Sequence, residues 1–349
     1  MTKSYMDLVE ECDNFPYYQE TVEDKAKLKS KYFALCLTNG NSLTEPYGYL
    51  PTWVVDKMPW EDRWDIDHER KIVTPKTSAD NWASQNQIIR DTLLQARQLK
   101  IFKVLAGWRS ELYPVHGKRT EGEEPIVMER AGTALFGINT YGVHLTVYTH
   151  TTEGMRIWVP RRARSKQTYG GMLDNTVAGG LAAGEEPFEC LVREADEEAS
   201  LSEQLVRSNA KACGIVSYVH VRDERAGGET GLLQPECQYV YDMEVGPGVQ
   251  PRPNDEEVEE FYLWTVDEVK QGLATGQFKP NCALVLLDFF TPPKTSISHD
   301  IVVLNATADS KPQRHDHNSL TPSPEPSIAS IRSVNACFFN PYFFKQRYT

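Results

Sequence analysis

The sequence of 349 residues has little positive charge, no long hydrophobic run and no closely spaced cysteine pair. Lysine and arginine number 37 against 49 aspartates and glutamates, which gives a formal charge of −12. Acidic chains bind nucleic acids and anionic membranes poorly. No apolar run approaches the roughly 20 residues that span a bilayer. We therefore expect neither a nucleic acid nor a membrane as a partner.

The seven cysteines are widely spaced, and none of them forms a C-x-x-C pair. This spacing favours neither a zinc site nor a disulfide framework. The first ten residues are polar and include Asp7 and Glu10, unlike a signal peptide or an acid-poor transit peptide. We therefore expect free thiols in a reducing compartment and a cytoplasmic location.

Composition divides the chain into three segments. Residues 1–125 contain five of the seven tryptophans and one predicted amphipathic helix, from about Ser78 to Lys100. Residues 126–291 alternate strand and helix signals with short connections, which predicts a mixed α/β domain with mostly antiparallel strand pairs. Residues 292–349 contain seven of the 21 prolines and lose apolar periodicity. That composition predicts a mostly disordered tail.

Within the middle segment, alternation and capping patterns predict individual elements. Thr265 to Glu268 has the form of a capping box and should open a helix, and Asn281 is the candidate cap of the last helix. The predicted strands are Val143–Val147, its hairpin partner Met155–Val159, Ile215–His220, Gln238–Glu244 and Glu260–Trp264.

One stretch of this segment combines glycines with a cluster of acidic residues. Gly179 to Glu185 is glycine-rich, and Pro187 suits the first turn of the helix that follows. Glu194, Glu197 and Glu198 have the i, i+3, i+4 spacing that groups side chains, opposite the apolar face of that helix. Such oxygen ligands select Mg²⁺ or Mn²⁺. The alternative interpretation is a solvated acidic face without function.

The loop and helix together resemble the Nudix hydrolase superfamily, whose box reads G-x5-E-x7-R-E-U-x-E-E-x-G-U, with U apolar. The matching residues are Gly179, Glu185, Arg193, Glu194, Ala195, Glu197, Glu198 and Leu201. One position departs from the box, because Ser200 replaces a glycine. Since serine is less free to adopt a positive φ, we expect a slightly different turn after the helix.

A longer match is similar to the subgroup associated with thiamine pyrophosphokinase. It rests on residues 158–180, on Gly107 to Tyr113, on Tyr239 to Asp242 and on Phe278 to Asn281. The subgroup has Pro and Gly where this chain has Gly170 and Glu256. The resemblance implies an α/β fold, a Nudix α/β/α sandwich with a mixed sheet, preceded by a smaller α+β domain of uncharacterised function.

The resemblance also implies an activity and its residues. It implies that Glu194, Glu197, Glu198 and the backbone of Gly179 hold Mg²⁺ or Mn²⁺. The substrate would be a small-molecule diphosphate, namely thiamine diphosphate or its oxidised analogues, cleaved to the monophosphate plus phosphate. Glu257 is an outside candidate for the general base beside the box glutamates. The remaining roles are a structural pair of Arg193 with Glu185, and contact with the substrate phosphate by Arg161, Arg162 and Lys166.

Two other function classes compete with hydrolysis. Isomerisation of an isoprenoid diphosphate on the same fold needs a cysteine and a glutamate at the alkene, and Cys190 lies on or near the buried side of the box helix, where it is badly placed. A non-catalytic sensor of thiamine compounds would not need the intact box carboxylates. The sequence leaves the oligomeric state open.

Overall fold

A computed structural model describes residues 2–16, 27, 30–39, 42–43, 46–77, 81–115 and 125–291. The predicted tail after residue 291 lies outside these residues, as does the predicted helix start at Ser78. Mixed α/β architecture is confirmed, with an additional α+β region before the main sheet. None of the helices in the described part of the chain is both long and apolar enough to cross a membrane.

The N-terminal region is built on a four-stranded sheet of order β4-β1-β6-β5, in which β1 pairs with β6 in parallel. Two short antiparallel pairs, β2-β3 and β7-β8, accompany it. Its elements are α1 Tyr5–Cys12, β1 Tyr32–Leu35, β2 Thr38–Asn39, β3 Ser42–Leu43, β4 Gly48–Pro51, α2 Thr52–Lys57, β5 Trp64–Asp67, β6 Ile72–Pro75, α3 Trp82–Gln98, a 3₁₀ helix Lys103–Gly107, β7 Leu112–Val115, β8 Ile126–Glu129, a 3₁₀ turn Arg130–Gly132 and α4 Thr133–Phe136.

The predicted amphipathic helix is α3, and its start is set by a side-chain cap. Asn81 accepts a hydrogen bond from the backbone of Ser84 at 3.0 Å, which satisfies one of the free amides of the first turn. Ile88, Ile89 and Leu93 of its apolar face are buried in one core with the sheet strands. Val115 of β7 and Ile126 and Met128 of β8 belong to the same core, which therefore joins these two strands to the four-stranded sheet.

The second region is built on a six-stranded mixed sheet of order β12-β13-β9-β10-β14, with β11 also paired to β9. The pair β13-β9 is parallel and the other pairs are antiparallel. Its elements are β9 Thr140–Thr151, β10 Gly154–Arg162, β11 Val177–Gly180, α5 Pro187–Ala199, α6 Glu203–Asn209, β12 Ala210–Val221, a 3₁₀ turn Glu224–Ala226, β13 Leu233–Glu244, β14 Val258–Thr265, α7 Val266–Ala274 and α8 Pro280–Phe290.

All five predicted strands of this region are confirmed, and so is the capping box of α7, in which Thr265 and Glu268 bond each other's backbone. The predicted cap of the last helix is wrong. Helix α8 begins at Pro280, with Lys279 before it, and Asn281 is already helical. Proline suits a first helical position, because its missing amide has no partner to lose there.

Candidate active site

The glycine-rich strand β11 and helix α5 lie so close together that a side chain at position 179 would have to displace the side chain of Glu194. A Cβ atom on Gly179 would lie 2.0 Å from Cδ of Glu194. Pro187 is the first residue of α5, as its position predicts, and the apolar face of the helix is buried against the sheet. The fold therefore brings the backbone of Gly179 and the Glu194 carboxylate together, two groups that the sequence assigns to one site.

Arg193 is the centre of the charge network on α5. It donates to both carboxylate oxygens of Glu185, at 2.8 and 3.1 Å, so the predicted pair is present. Its Nη1 also donates to Glu194 and to Glu197, at 2.9 Å each. One guanidinium therefore offsets the mutual repulsion of the acidic cluster and holds two of its members.

Glu198 does not share the exposed face that helical spacing predicts for it. Its residue is 8% exposed, whereas the Glu197 side chain is 52% exposed. The Glu198 carboxylate turns toward β11 and accepts a hydrogen bond from the backbone of Ala178 at 2.9 Å. The Glu198 carboxylate is buried because the edge of β11 covers the last turn of α5.

Burial dominates the acid–base properties of the inner two glutamates. It raises the pKa of Glu194 to about 7, although the neighbouring Arg193 opposes the change. Burial also raises the pKa of Glu198 well above its ordinary value, and the charge of Glu194 adds to the effect. A neighbouring cation stabilises the ionised form of such buried carboxylates more than it stabilises that of exposed ones.

The residues fit a divalent cation, though they do not form a closed cage. Within the described part of the chain, no three carboxylate, thiol or imidazole side chains converge as a ready metal site. Arg193 donates hydrogen bonds to Glu194 and Glu197. The buried carboxylate of Glu198 accepts a hydrogen bond from an uncharged backbone amide. Burial of a carboxylate without a cation beside it is energetically unfavourable. Mg²⁺ or Mn²⁺ would supply the positive charge, and carboxylate oxygens are the ligands that these ions prefer.

Glu257 and the glutamates of α5 line one cavity, here called the acidic cavity, and Glu257 lies between two cations. Lys166 forms an ion pair with it, and Arg109 of the N-terminal region lies 3.7 Å away. Burial alone would raise its pKa, but the hydrogen bond and charge of Lys166 outweigh burial and leave the pKa lowered. Glu257 is thus held as a carboxylate within reach of the acidic cavity.

The predicted phosphate-binding cations separate into two groups. Lys166 and Arg162 line the acidic cavity, but Arg162 is largely committed to Asp174 by an ion pair of 2.5 Å with both side chains buried. Arg161 lies outside the lining of that cavity and donates to Tyr262 and to the backbone of Gly171, both at 2.9 Å. The structure therefore brings Lys166 to the site, where it is paired with Glu257, and Arg162, which is paired with Asp174. Arg161 does not line the site.

The acidic cavity has a volume of about 840 Å³ and includes residues that the sequence did not single out. Arg109, Glu111 and Arg130 enter it from the N-terminal region, and Lys279 enters it from the start of α8. Arg130 donates to Glu111 at 2.9 Å and lies over the ring of Tyr113. The sequence signals for them are the subgroup matches at Gly107 to Tyr113, Glu129 to Arg130 and Phe278 to Asn281. These matches assign no role to the cations, because cations from a separate domain have no local spacing that marks them.

Ser200 forms the turn after α5 in spite of its side chain. Its φ of 53° places it in the left-handed region, the conformation that glycine adopts at low cost. Its hydroxyl donates to the backbone oxygen of Arg252 at 3.1 Å. The conformation costs about 1 kcal/mol for a residue with a Cβ, and this hydrogen bond offsets part of that cost.

Comparison with known proteins matches both regions. Residues 140–282 match the family model described as NUDIX domain, and residues 49–140 match the model described as Domain of unknown function (DUF4743). An uncharacterised protein of Saccharomyces cerevisiae is 31% identical over 301 residues, which are 82% of this chain and 84% of that protein.

Two further comparisons cover shorter parts. Nudix hydrolase 20, chloroplastic, of Arabidopsis thaliana is 36% identical over 189 residues, which are 53% of this chain and 48% of that protein. The matched part thus spans about half of the plant protein. The crystal structure of DR0079 from Deinococcus radiodurans is 20% identical, with a TM-score of 0.36, and the match covers 51% of this chain and 98% of that chain.

Proposed function

This chain belongs to the Nudix hydrolase family and is a hydrolase of diphosphate bonds, and from that premise we propose that it is a metal-dependent pyrophosphohydrolase for thiamine-type diphosphates. The proposed reaction cleaves thiamine diphosphate, or its oxidised analogues, to the monophosphate and phosphate. One observation carries diphosphate hydrolysis: the carboxylates of α5 and the cations Arg109, Arg130, Lys166 and Lys279 line the same cavity. The choice of thiamine-type substrates rests on the resemblance of residues 158–180 to the thiamine-associated subgroup.

The chain's residues divide the work of hydrolysis between binding and proton transfer. Glu194, Glu197, Glu198 and the backbone of Gly179 would hold Mg²⁺ or Mn²⁺, which acidifies water and neutralises the diphosphate when bound. Arg109, Lys166 and Lys279 would bind the outer phosphate oxygens and orient the phosphorus for attack.

Glu257 remains the proposed general base outside the box. Its ion pair with Lys166 keeps it ionised and therefore able to accept a proton, but a lowered pKa makes it a weaker base. Displacement of Lys166 toward a bound phosphate would free the carboxylate and restore its basicity. The box glutamates stay open as the alternative base.

The isomerase alternative is not favoured by the position of its required cysteine. Cys190 lies on the fully buried side of α5, where its thiol donates to the backbone oxygen of Gly180 at 3.4 Å. Burial raises the pKa of this thiol, which disfavours proton donation into the cavity. A thiamine sensor without catalysis remains the second alternative, and it would bind thiamine diphosphate without consuming it.

A screen of diphosphates with Mg²⁺ and Mn²⁺, with products identified by mass spectrometry, tests the proposal. We expect a monophosphate and orthophosphate from thiamine-type substrates, and a Glu198→Gln variant is the inactive control. Binding without turnover would favour the sensor. For the compartment we propose the cytoplasm, which agrees with the thiols of Cys12, Cys190, Cys213 and Cys282 forming no disulfide.

A further inference from the structure

A second cavity, of about 470 Å³, opens beside the acidic one, and the mechanism above does not use it. Arg109, Arg130, Gly179 and Gly180 line both cavities, so the two are neighbours across the glycine strand. The 3₁₀ helix Lys103–Gly107 of the N-terminal region contributes to its wall, opposite the central strands of the second sheet. The cavity is therefore shared between the two regions of the chain.

The sheet side of this second cavity is polar, which is unusual for a sheet face that another part of the chain covers. Gln234, Glu236 and Gln238 occupy alternate positions of β13 and so share one face. Tyr218 of β12 is the direct cross-strand partner of Glu236 and also lines the cavity. Gln238 and Tyr218 are buried, whereas Gln234 and Glu236 are half-buried and face the cavity, so the row has the character of a binding surface rather than a packing surface.

Glu236 is the centre of this polar row. It accepts hydrogen bonds from Tyr218, from Gln234 and, at 2.7 Å, from Gln238. These three donors are uncharged, and among the described residues no lysine or arginine forms an ion pair with Glu236. Three neutral donors fix the position of the carboxylate and leave it the strongest hydrogen-bond acceptor in the cavity.

Aromatic rings complete the walls on either side of the carboxylate. Tyr169 and Tyr218 both line the cavity, and the Tyr169 hydroxyl is held by Nε2 of His220 at 3.1 Å. Rings held in place in this way suit stacking on a flat heteroaromatic group.

The sheet register sets the distance from this cavity to the phosphate site. Gly180 of β11 pairs with Gly142 of β9, which pairs in turn with Gln238 of β13. Strands β11 and β13 are therefore two strand spacings apart, which is a distance of about 10 Å. A ligand that reaches both cavities must carry its ring on a short spacer rather than directly on the diphosphate.

We propose that this second cavity holds the organic group of the diphosphate substrate, and that Glu236 selects a heteroaromatic ring that offers an N–H group. The inference rests on the proposed function, and it assigns a task to the N-terminal region, which closes the cavity. Selection follows because a bound ring displaces water from the half-buried carboxylate, and only a ring with an N–H group replaces the hydrogen bond that the water donated.

Glu236→Gln tests the inference, with Glu244→Gln at the exposed end of the same strand as the matched control. Isothermal titration of thiamine monophosphate with Mg²⁺ measures binding without catalysis, and thiamine diphosphate hydrolysis measures kcat and KM. We expect Glu236→Gln to weaken binding and raise KM at least about tenfold, with kcat changed less than about threefold. The control should stay within about twofold of the wild type.

The outcomes separate this inference from the proposed function. Unchanged affinity in a folded Glu236→Gln protein, or no binding of thiamine monophosphate by the wild type, would overturn the inference. If the wild type bound the probe through Glu236 but hydrolysed no thiamine compound, the inference would hold and the proposed reaction would fail. Should Glu236→Gln not fold, Glu236→Asp takes its place, and equal affinity to the wild type would overturn the inference.

Discussion

The hydroxyl of Tyr113 occupies the space that a side chain at Gly180 would need: a Cβ atom there would lie 1.7 Å from the Tyr113 oxygen. Tyr113 belongs to β7 of the N-terminal region, and Gly180 ends the strand that carries the box loop. The N-terminal region therefore packs directly against the end of β11, where the glycine-rich loop of the box begins. A displacement of this region should disturb the loop.

Gly180→Ala should accordingly impair both stability and turnover, because the new methyl group forces β7 and β11 apart. We expect a loss of about 1–3 kcal/mol in the free energy of unfolding, as for other overpacked sites, measured by urea denaturation. Tyr113→Phe removes the nearest atom, so the double variant should recover part of the loss. Simple additivity of the two single changes would contradict the contact.

Substitution of the buried Glu198 and of the exposed Glu197 should change the stability of the protein differently but should lower its activity in both cases. Glu197→Gln and Glu198→Gln should each lower kcat/KM at least about 100-fold, because each removes a proposed metal ligand. Glu198→Gln should leave the metal-free protein equally stable or up to about 1 kcal/mol more stable, since it neutralises a buried charge. Glu197→Gln should stay within about 0.5 kcal/mol, because its ion pair is exposed.

Turnover assays at saturating metal and thermal melting of the metal-free proteins check these expectations. Glu203→Gln, an exposed carboxylate on the next helix, is the control and should keep full activity. Full turnover by both box variants would refute their assignment as ligands.

Arg109→Ala tests whether the N-terminal region takes part in substrate binding. Its guanidinium lines the acidic cavity and lies 3.7 Å from Glu257, so its loss should weaken the hold on the diphosphate. We expect KM to rise about tenfold, equivalent to about 1.4 kcal/mol, with a smaller change in kcat. Arg90→Ala, at an exposed position of α3, is the control. Equal KM values for both variants would remove Arg109 from the site.

Asp242, which is half-buried in β13, should make stability depend on pH. Burial raises its pKa from 3.8 to about 6, aided by the charge of Asp288 and opposed by a hydrogen bond from Cys213. The folded state therefore binds this proton more tightly than the unfolded chain, so stability is fully retained below about pH 4 and is lost as the pH rises through 6.

Asp242→Asn should remove that loss. The variant should exceed the wild type in unfolding free energy by a margin that grows by about 1 kcal/mol between pH 5 and pH 8. Urea denaturation at both values measures it, with Asp267→Asn, at an exposed position of α7, as the control. A margin that is independent of pH would show that Asp242 is not the titrating group.

The local sequence pattern predicted most of the helices and strands of the Nudix region, but it predicted only some of the residues of the site. Alternation located β9 and β13, and box spacing located α5, because such signals depend on neighbours in sequence. The burial of Glu198 and the arrival of Arg109 and Arg130 depend on how β11 and the N-terminal region pack. No periodicity within one element encodes those contacts, so the site's acidic half was predictable and most of its basic half was not.

Substrate preference is the sharpest expectation. The box glutamates would act on the diphosphate only, through the metal ion, and cannot distinguish the group to which the diphosphate is attached. Selection must come from the neighbouring cavity, whose walls include Tyr169, Tyr218 and Glu236. A thiamine-type ring and a ribose differ in shape and hydrogen bonding, so one cavity should not serve both well. We expect oxidised thiamine diphosphates to give the highest kcat/KM in a panel that includes ADP-ribose, a dinucleotide and a deoxynucleoside triphosphate. If any of those three exceeded every thiamine compound tenfold, the thiamine assignment would be wrong, while diphosphate hydrolysis would stand.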